Sequence, residues 1–218
     1  MRPEDYIGLH AVRRSVEVTD AEVEQVLKNE QRINSVILQR DGKRIRVLQK
    51  LDDDFARDFS IYDTLDDWKD AIADELYDQR EEEAEEELVE DLLCQIAKRA
   101  QICPDEELCR GLYEEMLQEQ MAHIASLHLD LEEYAEKTGR SPEDILNGLK
   151  EDAAFSVCAQ TILHQIAHDQ KLTVSEEEVG AYLEGNEDAF ERDAIRDELL
   201  MDAAMDFVLA HAVIEEDG

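Results

Sequence analysis

Two histidines four residues apart offer the best metal-binding pattern in the sequence. His164 and His168 would share one face of a helix, as paired histidine ligands of a metal do. No glutamate stands beside His164, so the zinc-protease pattern of two histidines flanking a glutamate is missing. We therefore expect an ordinary exposed histidine pair and no bound metal, and a two-histidine metal site is the alternative.

The four cysteines give no redox or zinc motif. Cys94, Cys103, Cys109 and Cys158 form no Cys-x-x-Cys pair, and the expectation is free structural thiols in a reducing cytoplasm. The nucleophile elbow, the Walker loop and the dinucleotide-binding glycine motif are absent as well. We expect no enzyme activity, no catalytic residue and no cofactor.

The charge balance restricts the classes of partner. The 218 residues include 22 basic and 57 acidic residues, for a formal net charge of −35. DNA, RNA and anionic membranes attract basic surfaces, so none of them is expected as a general partner. The sequence has no apolar run of membrane-spanning length and begins without a secretory signal pattern, which predicts a cytoplasmic protein.

The charges divide the chain into two predicted domains. Residues 1–50 contain ten basic and eight acidic residues, whereas residues 51–218 contain twelve and 49. We predict a small head over 1–50, with an extended segment, a helix after Thr19 and a β hairpin around Asp41-Gly42. A basic strip in the head is expected to dock on the chain's own acidic body, with an acidic partner or an RNA backbone as alternatives: Arg40, Lys43, Arg44, Arg46 and Lys50.

Residues 51–218 are predicted to be helical, and local signals place the helix ends. Capping residues such as Thr64, Asp130, Ser141 and Ser175 precede apolar periodic stretches. Gly139 and Gly185 stand where a left-handed residue ends a helix, and Pro104 where a first turn tolerates proline. The predicted helices cover 64–101, 104–127, 130–138, 141–170, 175–184 and 187–213.

The first of these helices has an apolar face at each end and a glutamate-rich middle over 78–87. Such a helix cannot lie in one core, so we expect it to bridge two packed regions across solvent. It would span about 55 Å, which predicts an elongated, mainly α molecule with arms. The glutamates are expected to form a solvated face, because a calcium loop needs ligands alternating around a glycine turn.

Several segments, read in order, resemble trigger factor, the bacterial chaperone that meets nascent chains at the ribosome. The segments 6–9 and 16–23 are similar to the strand and linker that leave its ribosome-binding domain. Residues 51–58 and 63–65 resemble the start of its C-terminal chaperone domain. The likeness continues through the glutamate-rich helix and through 103–108, 129–134, 138–141 and 172–179.

The resemblance implies a helical chaperone domain with arms over 51–218, which would hold unfolded or nascent polypeptides without ATP. Two parts of the family pattern are missing. The ribosome-docking motif Gly-Phe-Arg-x-Gly-Lys-x-Pro is absent, and only the stretch 28–50, without Phe, Tyr or Trp, stands where the family has its prolyl isomerase domain. Neither ribosome docking nor isomerase activity is therefore carried over.

Adaptable thioether side chains are the candidate client contacts: Met116, Met121, Met201 and Met205. The alternative is that these methionines fill the core at helical spacing. The alternative function is that of a structural or assembly protein. Its helical cradle would bind one specific folded partner, or a second copy of the chain to form a homodimer.

Overall fold

A computed structural model of the chain describes residues 1–40, 43–184 and 192–217, without the side chains of 38–40, 43–45 and 184. The fold is mainly helical, as predicted. The helices are α1 Pro3–Tyr6, α2 Asp20–Ile33, α3 Asp53–Phe59, α4 Leu65–Ala100, α5 Glu106–Ser126, α6 Leu131–Thr138, α7 Pro142–Gln170, α8 Glu176–Glu184 and α9 Arg192–His211. The strands are β1 His10–Arg13, β2 Val36–Arg40, β3 Lys43–Val47 and β4 Val213–Glu216.

The predicted helix starts agree with the capping contacts. The Asp130 carboxylate accepts a hydrogen bond from the Glu133 amide at 2.8 Å, and the Ser141 hydroxyl accepts one from the Asp144 amide at 3.0 Å. Gly139 ends α6 in the left-handed region, with φ of 69°. The Asp105 side chain, rather than Pro104, caps α5. Gly185 and the predicted start of the last helix at 187 lie outside the described residues.

The chain falls into two compact units: residues 1–11 with 89–214, and residues 12–88 with 215–218. The predicted division into 1–50 and 51–218 stays a prediction about domains. The compact units combine parts of both ranges, because Val23 and Leu27 of α2 share a hydrophobic cluster with Phe55 of α3 and with Trp68 and Ile72 of α4.

In the unit of residues 12–88, the Phe55 ring stacks on Trp68 with the ring centroids 5.7 Å apart. The predicted hairpin is present, since β2 pairs antiparallel with β3 and Val36 is opposite Val47. Its turn residues Asp41 and Gly42 lie outside the described residues.

The unit of residues 1–11 and 89–214 is organised around α7. Helices α5, α6 and α9 pack on α7, and α8 packs on α9. The side chains of Ile162 and Ile166 of α7 are fully buried, as is Val208 of α9. Gln170 donates a hydrogen bond of 2.6 Å to the hydroxyl of Tyr6, which is buried in the same unit.

The two chain ends agree with the prediction to different degrees. The segment after residue 6 is predicted to be extended, and it contains β1, as expected; α1 is a helical turn before it. The last helix was predicted to continue to residue 213, but α9 ends at His211 and β4 pairs with β1. Since Val213 donates a backbone hydrogen bond of 2.7 Å to the Leu9 carbonyl, strand pairing replaces the last helical turn.

The middle of α4 also differs from the prediction of a solvated bridge. Ala84 is only 1% exposed, and one side of this stretch is covered by the segment that follows β1. Arg13 contacts Glu81 at 3.4 Å, and Arg14 contacts Glu83 and Glu87 at 3.5 and 3.2 Å. The prediction was wrong for the side of Ala84, because it left out the contacts of Arg13 and Arg14. The other glutamates of this stretch agree with the expected solvated face, since they are exposed: Glu82, Glu83, Glu85, Glu86 and Glu87.

Candidate functional site

Helix α5 leaves several large apolar side chains exposed or partly exposed to solvent. Its start is held by Asp105, whose carboxylate accepts hydrogen bonds from the amides of Glu107 and Leu108 at 2.9 and 3.1 Å. Ile124 is the fully buried side chain of the helix, at 2% exposure, whereas Leu108 is 61% exposed. The other large apolar side chains of α5 are partly exposed: Leu112, Tyr113, Met116, Leu117 and Met121.

The partial exposure follows from how α5 packs. The helix is covered on the side of α7, where the Lys150 ammonium lies 5.7 Å from the centre of the Tyr113 ring. A helix with one packed side needs a single apolar stripe, and α5 has apolar residues beyond that stripe. We call the partly exposed apolar residues of α5, from Leu108 to Met121, the α5 surface.

The four candidate methionines all occupy the unit built around α7. Met116 and Met121 lie on α5, and Met201 and Met205 lie on α9. Each of them is half-buried, so none is completely enclosed in the core and none is completely free in solvent. Both helices pack on α7, and the contact role of these residues stays a prediction.

The α5 surface is bordered by acidic side chains. Glu114, Glu115 and Glu119 alternate with its apolar residues and are exposed. Such a surface can bury apolar groups of a ligand, and it provides no nucleophile beside a general base. Its chemistry is that of binding and release.

A small cleft lies between α5, α6 and α7, with a volume of about 180 Å³. The Arg140 guanidinium stands over Gly148, where a Cβ atom would be 3.0 Å from it. Arg140 also donates a hydrogen bond of 3.2 Å to the Asp144 carbonyl. The cleft is thus partly filled by an arginine that the end of α6 and the start of α7 hold in place.

The two histidines have separate partners. The Nε2 atom of His164 lies 3.3 Å from Asp197, and the Nδ1 atom of His168 lies 3.4 Å from Asp169. Both rings are exposed. Within the described part of the chain, no group of three or more histidine, cysteine, aspartate or glutamate side chains is arranged to hold a metal ion.

All four cysteines are free thiols. Cys103 is exposed, and the other three are partly buried. Burial raises the pKa of the Cys158 thiol, and the charges of the other three cysteines raise it further. A thiol with a raised pKa has less of the reactive thiolate at neutral pH, so Cys158 is a poor nucleophile.

The prediction for the basic strip can be compared with the structure for two of its five members. Lys50 contacts the neighbouring Asp52 at 3.2 Å, and Arg46 lies on β3. The side chains of Arg40, Lys43 and Arg44 are not among those that the structure describes. Among the described side chains, Arg13 and Arg14 contact the glutamate-rich part of α4. Sequence reasoning missed them, although they also belong to the basic head.

Comparison with known proteins gives a consistent family match. The sequence model for "Bacterial trigger factor protein (TF) C-terminus" matches residues 64–216. The chain is 30% identical over 153 residues to the trigger factor of Shouchella clausii, covering 70% of this chain and 35% of that protein. It is 27% identical over 195 residues to the trigger factor of Syntrophomonas wolfei, covering 83% of this chain and 44% of that protein.

The trigger factor of Clostridium beijerinckii is 30% identical over 138 residues, which cover 63% of this chain and 32% of that protein. The matched part of the chain thus covers 32% to 44% of the length of these three relatives. No helix in the described ranges has the length and apolar character needed to cross a membrane. The match over 64–216, which includes α5, α7 and α9, shows that the chain belongs to the family of the bacterial trigger factor C-terminus.

Proposed function

We propose that this chain is an ATP-independent chaperone that holds unfolded or nascent polypeptides in the cytoplasm and has no prolyl isomerase activity. The observation that carries the proposal is the α5 surface, where Leu108 is 61% exposed and Met116 and Met121 are half-buried. Contiguous apolar residues left in contact with water mark binding surfaces for other molecules. The family membership supports the same function, since its members are named trigger factors.

Apolar segments of an unfolded chain would bind the α5 surface by removing their own apolar area from water. Each square ångström of apolar area buried contributes about 25 cal/mol, so a few side chains give a weak and reversible contact. The thioethers of Met116 and Met121, with those of Met201 and Met205 on α9, would adapt to clients of different shape.

The negative charge would keep the protein in solution while unfolded polypeptides are bound to it. With a formal net charge of −35, loaded molecules repel one another and stay dispersed. Aggregation of unfolded clients needs encounters between exposed apolar segments, and a holder reduces the concentration of those segments. No nucleotide is needed for such a binding equilibrium.

The absence of isomerase activity is proposed from the stretch 28–50. Its described backbone is the end of α2 and the two strands of the hairpin, and its sequence has no Phe, Tyr or Trp. A prolyl isomerase site of the trigger factor type needs a sheet wrapped on a helix and an aromatic pocket. Ribosome docking is likewise left out of the proposal, since the sequence lacks the docking motif.

The test is the aggregation of two unrelated, chemically denatured clients diluted into buffer with a stoichiometric amount of this protein and without ATP. We expect light scattering to be suppressed for both clients. Suppression of neither would overturn the proposal and favour a dedicated partner or a second copy. A prolyl isomerisation assay on a short peptide should show no acceleration.

A further inference from the structure

A second exposed surface lies at the end of α2 and on the β2–β3 hairpin, away from α5 in sequence. Ile33 is 74% exposed, and Ile37 is 58% exposed. Arg32 and Arg46 are exposed beside them. We call these four residues the hairpin surface, and none of them is used by the proposed holding activity.

The four residues form one connected surface. Ile37 is the register partner of Arg46 in the hairpin, and directly opposite residues place their side chains on the same face. Arg46 also lines a shallow groove of about 470 Å³, together with Asn29, Arg32 and Ile33. Arg46 therefore joins the groove to the exposed face of the hairpin.

The two faces of the hairpin differ in character. Val36 is the register partner of Val47, and these two valines, 46% and 42% exposed, lie on the face opposite Ile37 and Arg46. In the described part of the chain, β2 and β3 form a sheet of two strands. A strand at the edge of a sheet offers unpaired backbone groups to an additional strand.

The charge of this region is opposite to that of the remaining chain. Residues 28–50 contain seven basic and two acidic residues, a net charge of +5, so the other residues together have a net charge of −40. Arginine guanidinium groups bind carboxylates through two parallel hydrogen bonds. An occupant of the hairpin surface should accordingly present carboxylates.

We propose that the hairpin surface binds an extended polypeptide segment in which aliphatic and acidic residues alternate, added to the sheet as a third strand. Alternate side chains of a strand point to opposite faces. The aliphatic side chains would then continue the valine face, and the carboxylates would continue the face of Arg46.

Two other occupants are disfavoured by the same observations. Residues 28–50 have no aromatic side chain on which a nucleic acid base could stack, and the charge of −40 on the remaining residues repels a polyanion. A second copy of the chain, with its net charge of −35, would be repelled as a whole. A short acidic segment needs no base stacking and carries few charges, so the remaining residues repel it much less than they repel a polyanion or a second copy.

The test uses the full chain and two fluorescein-labelled peptides, one of alternating valine and glutamate and one of alternating valine and glutamine, which has no charge that the acidic remainder of the chain would attract. We expect fluorescence anisotropy at low salt to show at least about tenfold tighter binding of the glutamate peptide. Arg32→Glu with Arg46→Glu should remove that preference. The matched control, Lys98→Glu with Arg110→Glu, changes the same charge at two exposed residues outside the hairpin surface and should keep it.

Equal binding of the two peptides, or an Arg32→Glu/Arg46→Glu variant that still prefers the glutamate peptide, would overturn the proposal. If a single-stranded RNA oligonucleotide bound more tightly than the glutamate peptide, and the same variant lost that binding, the ligand of the hairpin surface would be a nucleic acid and the proposal would be wrong. If sedimentation showed a dimer that the same variant lost, the ligand of the hairpin surface would be a second copy of the chain, which would also overturn the proposal. Binding of the glutamate peptide should also weaken as salt is raised, a readout that needs no variant.

Discussion

Arg80 of α4 donates hydrogen bonds to the carboxylate of Glu22 and to the carbonyl oxygen of Glu17. The same Glu22 carboxylate accepts a hydrogen bond of 2.9 Å from the Thr19 amide at the start of α2. One arginine thus connects α4 to the end of the segment that precedes α2 and to the first turn of α2. The Arg80 hydrogen bond is the largest cause that lowers the pKa of Glu22, from 4.5 to about 2.

Replacing Glu22 by Gln tests this contact through its pH dependence. A carboxyl whose pKa is lowered on folding stabilises the protein above its unfolded pKa, and this contribution is lost as the pH falls. We expect Glu22→Gln to lower the melting temperature by a few degrees at pH 7. The difference from the unchanged protein should shrink between pH 4.5 and about 2.

Glu24→Gln is the matched control, since it makes the same charge change on the same helix. Glu24 contacts Lys28 at 3.2 Å, with both side chains more than half exposed, and such pairs contribute little. A melting temperature that responds equally to the two substitutions, or a Glu22 effect that persists at pH 2, would contradict the assignment.

Phe55 is the best single probe of the unit of residues 12–88. Its side chain is 1% exposed and stacks on Trp68, the only tryptophan of the chain. Phe55→Ala should lower the free energy of unfolding by about 3–5 kcal/mol, because it removes contacts and leaves a cavity. Urea unfolding followed by Trp68 fluorescence measures this, and Ile61→Ala, at a side chain 92% exposed, should change it by less than about 0.5 kcal/mol.

Two glycines should respond to alanine with opposite signs. A Cβ atom at Gly139 or at Gly111 would meet no atom within 4 Å, so the backbone decides both outcomes. Gly139 has φ of 69°, where alanine is strained, and Gly139→Ala should destabilise by about 1 kcal/mol. Gly111 lies inside α5, and Gly111→Ala should stabilise by about 0.5–1 kcal/mol. Thermal unfolding measures both, and equal signs would contradict the assigned backbone conformations.

The thiols should react at different rates. Cys103 is exposed, whereas Cys158 is partly buried and has a raised pKa. We expect iodoacetamide at pH 8 to modify Cys103 first and Cys158 slowly, with the difference abolished in urea. Mass spectrometry of the digested protein measures this order, and faster modification of Cys158 would contradict the environment described for it.

Local signals predicted most helices of the chain because their causes are close in sequence. Ser141 and Asp144 cap α7 across three residues, and Gly139 ends α6 by its own backbone freedom. The missed elements depend on distant contacts. Strand β4 exists through pairing with β1, and no periodicity around Val213 indicates it. The covered face of α4 likewise depends on Arg13 and Arg14, far away in sequence.

The candidate site could be predicted only in part. Periodicity located Met116 and Met121 on a helix, and it could not show which side of that helix is covered. The exposure of Leu108 follows from packing against α7, a contact between residues distant in sequence. Of the hairpin surface, only Arg46 belongs to the predicted basic strip, and the register that places Ile37 beside Arg46 depends on strand pairing that the sequence did not show.

The most direct test of the proposed function compares two variants in the aggregation assay. Leu108→Ser with Met116→Ser removes apolar side chains of the α5 surface, and Ile61→Ser removes a side chain that is 92% exposed elsewhere. We predict that the first variant, with its helical circular dichroism unchanged, loses most of the suppression of client aggregation, whereas Ile61→Ser keeps it. Equal suppression by both variants would contradict the claim that the α5 surface holds unfolded polypeptides.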